Sequence, residues 1–377
     1  MKAYATIAST VLAAAVLAFG SRPAVAAPWV TAYLPGWEVS QNGVDPARID
    51  FKSITHLVWF SLTPTSSGSI VEPASNPGVN SGADAVASAV HKAGKKALIC
   101  IGGQGSERAF AAAFQGHTSA LVHNIVAWVK AHDFDGVDID DEPLAPSDKA
   151  KYQAFITMLR SVLGDDLTLT AAVEPFSAAP GTFTDIAGEF DQINIMTYDM
   201  IYGNQLSNGS GEMTWFNAPI SARTAGETTT VNYEQTGSQM PSIEMSLWKY
   251  TSSPVSIPVR KLGIGTAFYG YVFPNATSYG QVYHGAFPPD TVSYDQIMTN
   301  AQYFDADYYH YDAVAGTSYI GRRDTANFIT FDDPNSVAAK VQFVESSGLG
   351  GMICFEIGQQ YHTGQPLLHA IDVALGK

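Results

Sequence analysis

The chain has 377 residues and a formal net charge of −15, with only 15% charged residues and 11% aromatic residues. Nucleic acids and anionic membrane surfaces carry negative charge themselves, so a strongly acidic chain is poorly suited to bind them. We therefore expect no nucleic-acid partner and no membrane partner. The low charge content and the many aromatic rings instead favour a neutral ligand on which rings can stack, such as a sugar chain.

The first 27 residues have the pattern of a secretory signal peptide. Met1 and Lys2 provide a basic start, residues 11–19 form a short apolar run, and residues 24–26 read Ala-Val-Ala, which fits a cleavage site. The apolar run is too short to span a membrane. We expect residues 1–27 to be removed, and residues 28–377 to form a soluble protein that is secreted to the outside of the cell.

Strand patterns and helix patterns alternate along the rest of the chain. Strands are predicted at residues 29–34, 54–62, 96–101, 134–142, 167–173, 193–200, 261–269 and 351–355. Helices are predicted at residues 83–93, 106–114, 121–131, 147–163 (with Ser147 as N-cap), 183–190, 240–250 and 336–346. Near-continuous apolar strands in about eight such alternations predict an α/β fold with a parallel sheet, closed as a (β/α)8 TIM barrel.

Residues 271–327 interrupt this alternation between the seventh and eighth strands. The segment is rich in Tyr and Gly and contains one helical pattern, at residues 294–304. A loop of this length without structure of its own is uncommon in a compact domain. We therefore predict a small α+β insertion within the barrel domain.

The two cysteines, Cys100 and Cys354, both lie in apolar segments that are predicted to be buried strands. Secreted proteins often pair their cysteines, so a disulfide is one possibility. Because a buried thiol packs well as a small apolar group, we favour two free cysteines.

The fourth predicted strand ends in a row of acids, Asp138, Asp140 and Glu142. Alternate side chains of a strand share one face, about 6–7 Å apart, so these three face together and Asp141 faces away. Acids this close repel one another when ionised, so at least one is expected to keep its proton near neutral pH. A protonated acid beside an ionised one suits glycoside hydrolysis. The structural alternative is a solvent-facing acidic strand.

Asp135, Asp138, Asp140 and Glu142 together complete the pattern D-x-x-D-x-D-x-E. With this pattern the sequence resembles glycoside hydrolase family 18, the chitinases and related endo-N-acetylglucosaminidases. Residues 193–199 also match the family's M-x-Y-D motif on the sixth strand. Two further segments are similar to the family's seventh-strand and eighth-strand motifs, namely residues 261–270 and 350–356.

The sequence departs from the family pattern at several positions near the expected site. Cys100 stands where the family usually has Ser, and Phe355 stands where it usually has Trp. Phe355 keeps an aromatic face but has less area and lacks the indole N–H. These changes leave the row of acids complete and concern the identity of the substrate and the strength of its binding.

The resemblance implies a retaining, substrate-assisted mechanism, in which the 2-acetamido group of the sugar attacks its own anomeric carbon. Glu142 would be the general acid and base, and Asp140 would orient the acetamido group. Asp138 would share a proton with Asp140, and Tyr198 would help to hold the N-acetyl group. The candidate substrate-binding residues are Asp199, Met196, Phe355, Tyr33 and Trp215. Ordinary core packing is the structural alternative for Tyr33, Met196 and Trp215.

The function implied by the resemblance is hydrolysis of β-1,4-linked N-acetylglucosamine, most simply by a chitinase acting on chitin or its oligosaccharides. One alternative is an endo-β-N-acetylglucosaminidase that cuts the chitobiose core of N-glycans. Another is a non-catalytic chitinase-like lectin, although such proteins usually lack the final Glu of the motif, which is present here as Glu142. No residue spacing suggests a zinc or calcium site. We predict no cofactor or metal, and we expect a monomer.

Overall fold

A computed structural model of the chain describes residues 27–202, 204–205, 211–224 and 240–377. The predicted signal peptide lies outside the described residues, apart from Ala27. Within the described ranges, no helix combines the length and the apolar character that crossing a bilayer requires.

Eight parallel strands close into a barrel, which confirms the predicted (β/α)8 fold. Each strand pairs with the next one along the chain, and the last pairs with the first. Their side chains are almost entirely buried, as expected for a sheet that is covered on both faces. The strands are β1 (Trp29–Pro35), β2 (His56–Pro64), β4 (Lys96–Gln104), β5 (Gly136–Glu142), β6 (Thr168–Val173), β7 (Gln192–Ile195), β9 (Leu262–Ala267) and β16 (Gly351–Phe355).

Helices pack around the barrel through apolar stripes that recur every three or four residues. In α2, for example, Val79, Ala83, Val86 and Val90 are buried. The helices of the described residues are α1 (Gly36–Ser40), α2 (Val79–Lys92), α3 (Glu107–Ala113), α4 (Thr118–Ala131), α5 (Lys149–Leu163), α6 (Ile243–Thr251), α7 (Tyr294–Thr299), α8 (Pro334–Ser346) and α9 (Pro366–Ala374).

Two local features fix the position of β5 against β4. At the start of β5, the carboxylate of Asp135 accepts the backbone N–H of Ala97 at 2.7 Å and lies 2.8 Å from Nε2 of His91. Near its end, Gly102 allows close approach, because a Cβ there would lie 1.9 Å from the carbonyl oxygen of Asp140. Asp135 therefore anchors β5 at the end opposite Glu142.

A five-stranded antiparallel sheet is inserted between β9 and β16. The first strand of this sheet begins two residues after β9 ends, so the sheet extends directly from the barrel wall. The sheet spans residues 269–331, whereas the insertion was predicted at residues 271–327. The strands, in spatial order, are β12 (Asp290–Ser293), β10 (Tyr269–Pro274), β15 (Asn327–Phe331), β14 (Thr317–Arg322) and β13 (Tyr309–Asp312). Three short strands belong to neither the barrel nor the inserted sheet. β3 (Ile70–Val71) pairs with β2, and β8 (Glu212–Met213) pairs with β11 (Val282–Tyr283).

Several local predictions were wrong. Ser147 is not an N-cap, because a 3-10 turn at Pro146–Asp148 precedes α5, which begins at Lys149. Residues 183–190 form successive turns instead of a helix. The final helix, α9, was not predicted, and the predicted helix at 294–304 ends at Thr299.

Candidate active site

The acids of β5 occupy the interior of the barrel in the alternating order expected of a strand. Asp138 is the deepest, with 0% of its surface exposed, Asp140 is 4% exposed, and Glu142 is half-buried at the strand end. By the same alternation Asp141, which is 8% exposed, faces away from these three, and the charges that act on it are those of Asp148, Glu107 and Glu174. The strand therefore separates three inward acids from one outward acid.

Three donors hold the carboxylate of Asp138. The hydroxyl of Tyr33 donates to its Oδ2 at 2.9 Å, the hydroxyl of Thr170 donates to its Oδ1 at 2.5 Å, and the thiol of Cys100 adds a third hydrogen bond. These donors favour the ionised form, whereas complete burial disfavours it. Burial is the larger effect and raises the pKa of Asp138 to about 6. Asp138 can therefore change protonation state near neutral pH.

Asp140 and Glu142 both keep protons more strongly than ordinary carboxyl groups. Burial raises the pKa of Asp140 well above its usual value, and the charges of Glu142 and Asp138 raise it further. Oδ1 of Asp140 is buried without a hydrogen-bond partner. Burial, followed by the charges of Glu174 and Asp199, raises the pKa of Glu142 to about 7. In mildly acidic solution Glu142 is therefore a protonated acid at the mouth of the site.

A cluster of tyrosines and Asp199 forms the facing wall of the site. The hydroxyl groups of Tyr269 and Tyr271 both donate to Oδ1 of Asp199, the second at 2.7 Å. Oδ1 of Asn217 accepts the backbone N–H of Asp199 at 2.8 Å, which holds the segment that follows β7 in place. Burial raises the pKa of Asp199, although the two tyrosine donors oppose this shift.

One pocket collects most of the residues that were proposed from the sequence. The proposed residues that line it are Tyr33, Asp140, Glu142, Met196, Tyr198, Asp199 and Phe355. Asp138 does not line this pocket but is hydrogen-bonded to Tyr33, which does. The pocket adjoins a second, more open one that contains Trp37, and Phe60, Gln104 and Phe355 line both.

Aromatic rings define the floor and sides of this pocket. Phe355 lies at the centre of the group, with its ring centroid 6.0 Å from that of Tyr198, 5.8 Å from Tyr33 and 5.7 Å from Phe60. Tyr198 also meets Tyr269 edge to face, at 6.1 Å. Such a lining provides apolar faces next to carboxyl groups, which suits a sugar ring with its apolar faces and polar rim.

A family profile described as "Glycosyl hydrolases family 18" matches residues 30–360, which is nearly all of the described chain. The chain belongs to glycoside hydrolase family 18. This match covers the barrel strands from the second residue of β1 onwards and the inserted sheet, so the row of acids and the tyrosine cluster both lie inside the family domain.

Two relatives are about a quarter identical to this chain over the aligned residues. Chitinase A1 of Niallia circulans is 26% identical over 307 residues, which cover 73% of this chain and 42% of the relative. A chitinase-like effector of Moniliophthora roreri is 25% identical over 384 residues, which cover 88% of this chain and 89% of the relative. The match thus spans less than half of one relative and most of the other.

Solved structures share the same fold. The group IV chitinase of Ostrinia furnacalis superposes with a TM-score of 0.78 at 22% identity, covering 93% of this chain and 100% of that one. A family 18 chitinase from Cycas revoluta, solved in complex with (GlcNAc)3, superposes with a TM-score of 0.73 at 19% identity, covering 92% of this chain and 99% of that one.

Trp215 is the one proposed binding residue that the structure places away from the pocket. Its side chain is 0% exposed, its indole Nε1–H donates to the carbonyl oxygen of Pro241 at 2.9 Å, and its ring packs against Phe216. A ring without exposed surface has no face to offer a sugar. Trp215 is therefore a core residue, and its prediction as a substrate-binding residue was wrong.

Several site residues were missed by the sequence reasoning. Tyr269 was present in the seventh-strand motif but was given no role, and Tyr271 and Thr170 carry no local signal. Gln104 is the last residue of β4, so its position at the carboxyl end of a barrel strand was the available clue, whereas Phe60 lies in the middle of β2 and carried no such clue. Among the described residues, no group of three or more His, Cys, Asp and Glu side chains is arranged to hold a metal ion.

Both cysteines are free and buried, as expected. Cys354 lies in β16 and Cys100 in β4, with its thiol directed at Asp138. Burial, followed by the charge of Asp138, raises the pKa of Cys100 well above its usual value. The thiol is therefore protonated and acts as a hydrogen-bond donor.

Proposed function

We propose that this family 18 protein is a secreted chitinase, which hydrolyses β-1,4-linked N-acetylglucosamine chains by a retaining, substrate-assisted mechanism. The observation that carries the proposal is the pairing of Glu142 with Asp140 at one pocket wall, opposite Tyr198 and Asp199. A protonated acid at the pocket mouth supplies a proton donor, and the polar groups beyond it suit an acetamido group.

In the first step Glu142 transfers its proton to the glycosidic oxygen. The bond between the anomeric carbon and that oxygen breaks, and the carbonyl oxygen of the sugar's own acetamido group bonds to the anomeric carbon in its place. The positive charge then spreads over an oxazolinium ring. Asp140, whose Oδ1 has no protein partner, accepts the acetamido N–H and stabilises this charge.

In the second step the ionised Glu142 takes a proton from water. The water oxygen bonds to the anomeric carbon and displaces the acetamido oxygen, so two inversions leave the β configuration. The charge of Asp138 raises the proton affinity of Asp140, so the two acids titrate as a pair. A proton that moves toward Asp138 would leave Asp140 charged when the oxazolinium forms.

The shape of the site favours chitin over an N-glycan core. Its walls are aromatic, with Tyr33, Phe60, Tyr198, Tyr269 and Phe355 around the acids. The inserted sheet begins at Tyr269 and so raises one side of the pocket. Stacked rings suit a linear chain of sugar rings, whereas a branched glycan requires a wider and more polar opening.

The test is product analysis on chitooligosaccharides and, in parallel, on a high-mannose glycopeptide. We expect cleavage of the chitooligosaccharides, with a β anomer as the first product by NMR. Glu142→Gln should lower kcat by about a hundredfold or more, because the general acid is lost. An exposed acid, Glu345, provides the matched control, and Glu345→Gln should keep full activity.

Each alternative predicts a different outcome of the same experiment. Cleavage of the glycopeptide alone would identify an endo-β-N-acetylglucosaminidase. Binding of chitooligosaccharides without cleavage would identify a lectin, an outcome made relevant by the similarity to a chitinase-like effector. An initial α product would exclude the substrate-assisted route.

Secretion and the monomeric state can be tested on the same preparation. N-terminal sequencing of protein recovered from culture medium should begin at or next to residue 28. Light scattering should give the mass of one chain. Intact residues 1–27 or a dimeric mass would refute these two expectations.

A further inference from the structure

Two buried glutamates, Glu38 and Glu356, have no part in the proposed mechanism. Glu38 is 6% exposed and Glu356 is 0% exposed. Glu38 follows Trp37 in α1, and Glu356 follows Phe355 at the end of β16. Trp37 and Phe355 both line the open pocket beside the acid row. Each glutamate is thus joined through the chain to an aromatic ring of the cleft.

The contacts of the two carboxyl groups converge on Gly358. Oε1 of Glu38 accepts the indole Nε1–H of Trp37 and the amide N–H of Asn42, both at 3.0 Å. Oε2 of Glu356 accepts the backbone N–H of Gly358 at 2.8 Å. A Cβ on Gly358 would lie within 2.7 Å of three atoms of Glu38, including Oε2. The Glu38 carboxyl group therefore packs on the residue that binds Glu356.

The remaining oxygen of Glu356, Oε1, is buried and has no ordinary donor. The group with which its side chain hydrogen-bonds is Glu38. Two carboxyl groups can hydrogen-bond only if one of them carries a proton. Burial, followed by the charge of Glu38 and more weakly that of Asp295, raises the pKa of Glu356 well above its usual value. The other titratable group beside Glu38 and Asp295 in the adjoining crevice is His362.

We propose that Glu356 stays protonated and donates a hydrogen bond to the carboxylate of Glu38. This carboxylic acid–carboxylate pair positions Trp37 for binding sugar units beyond the one cleaved at Glu142. The proton holds Glu38 in place, and Glu38 in turn holds the indole N–H. The ring of Trp37 meets Phe60 edge to face at 6.1 Å, which completes the wall of the open pocket. Glu38 and Glu356 are positioning residues, because they act through Trp37.

The identity of the ligand in this proposal, a sugar chain, rests on the proposed function. The presence of the proton on Glu356 does not. Infrared difference spectroscopy at pH 7 tests the proton directly. Glu356→Gln should remove one carbonyl band of a protonated carboxyl group, whereas Glu345→Gln should leave every such band in place. Glu38→Gln should remove the same band, because its amide N–H would donate to Glu356 and make the shared proton unnecessary. An unchanged carbonyl band in both Glu356→Gln and Glu38→Gln would overturn the proposal. If Glu356→Gln does not fold, the result for Glu38→Gln decides.

Kinetics on substrates of different length test the role of Trp37. Glu38→Ala removes the acceptor of the indole N–H, and loss of one such hydrogen bond corresponds to about a fivefold change in affinity. We expect KM for a pentasaccharide to rise by about that factor, with kcat unchanged and with no change for a disaccharide-based substrate. Glu38→Gln should restore the normal KM, because its carbonyl oxygen still accepts from Trp37.

Trp37→Phe removes the indole N–H together with part of the ring area, so it should raise KM for the pentasaccharide at least as much as Glu38→Ala does. The double variant should be no worse than Trp37→Phe alone, because the hydrogen bond that Glu38→Ala removes is already absent. A KM that rises equally for short and long substrates, or a fall in kcat, would refute the positioning role. If no N-acetylglucosamine oligomer binds, the role of Trp37 in sugar binding is refuted together with the proposed function. The infrared result then still shows whether Glu356 carries a proton.

Discussion

Replacement of Asp141 by Asn should stabilise the protein increasingly as pH rises. Asp141 is 8% exposed, its Oδ1 has no hydrogen-bond partner, and the charges that act on it are those of the acids Asp148, Glu107 and Glu174. Burial first, and then these charges, raise its pKa from 3.8 to about 8. The folded protein therefore binds a proton at this position at pH values where the unfolded chain has already lost it.

The sign and size of the effect follow from this difference in proton binding. Stability contributed by a raised pKa is fully present below the unfolded pKa and is lost as pH rises toward the folded pKa. Each pH unit between these two values costs about 1.4 kcal/mol, so the loss between pH 4 and pH 7 is up to about 4 kcal/mol. Asn is neutral at every pH, so Asp141→Asn avoids this loss.

The assay is the melting temperature of wild type and Asp141→Asn at several pH values between 4 and 8.5. For a domain of about 350 residues, 1 kcal/mol corresponds to roughly 1.4 °C, so the variant should gain on the order of 5 °C at pH 7 relative to pH 4. Asp165→Asn, at an exposed turn, is the control and should show no such trend. A difference between Asp141→Asn and wild type that does not grow with pH would refute the reasoning.

Three further predictions concern the pH dependence and strength of catalysis. Cys100→Ser should move the acidic limb of kcat/KM to lower pH, because a hydroxyl is a stronger donor than a thiol and stabilises the ionised form of Asp138. Activity should fall as pH rises through about 7, because Glu142 loses its proton there. Glu174→Gln should move this alkaline limb to lower pH, because it removes a charge that raises the pKa of Glu142. Tyr271→Phe should lower kcat/KM by about tenfold, because Asp199 loses one of its two phenolic donors.

Each of these three predictions has a clear contrary result. An acidic limb that stays in place in Cys100→Ser would mean that the thiol does not influence Asp138. An alkaline limb that moves upward in Glu174→Gln would contradict the repulsion between Glu174 and Glu142. Full activity of Tyr271→Phe would show that the remaining donor to Asp199 is sufficient.

The features that could be predicted from sequence depend on neighbours along the chain. The alternation of a strand placed Asp138, Asp140 and Glu142 inside the barrel and Asp141 outside, and the structure has this arrangement. The order of strands and helices was likewise sufficient for the barrel, because parallel strands require a connection across the sheet. Local spacing alone determines both of these results.

The features that could not be predicted depend on contacts between distant segments. Asp199 receives its phenolic donors from residues 70 and 72 positions further along the chain, and no local pattern indicates that pairing. Trp215 lies in a connection whose path depends on the inserted sheet, so its burial had no local signal. Residues 183, 186, 187 and 190 are buried at helical spacing, but their backbone forms successive turns.

The inserted sheet and the catalytic centre are not separable parts. Its first strand carries Tyr269, which lines the pocket, and Tyr271, and both donate to Asp199. An attempt to widen the cleft by trimming this sheet to a short loop would also remove the groups that hold Asp199. In this chain the wall of the cleft and the hydrogen bonds at its base both depend on β10, so a change of substrate range by redesign of the insertion has to leave β10 intact.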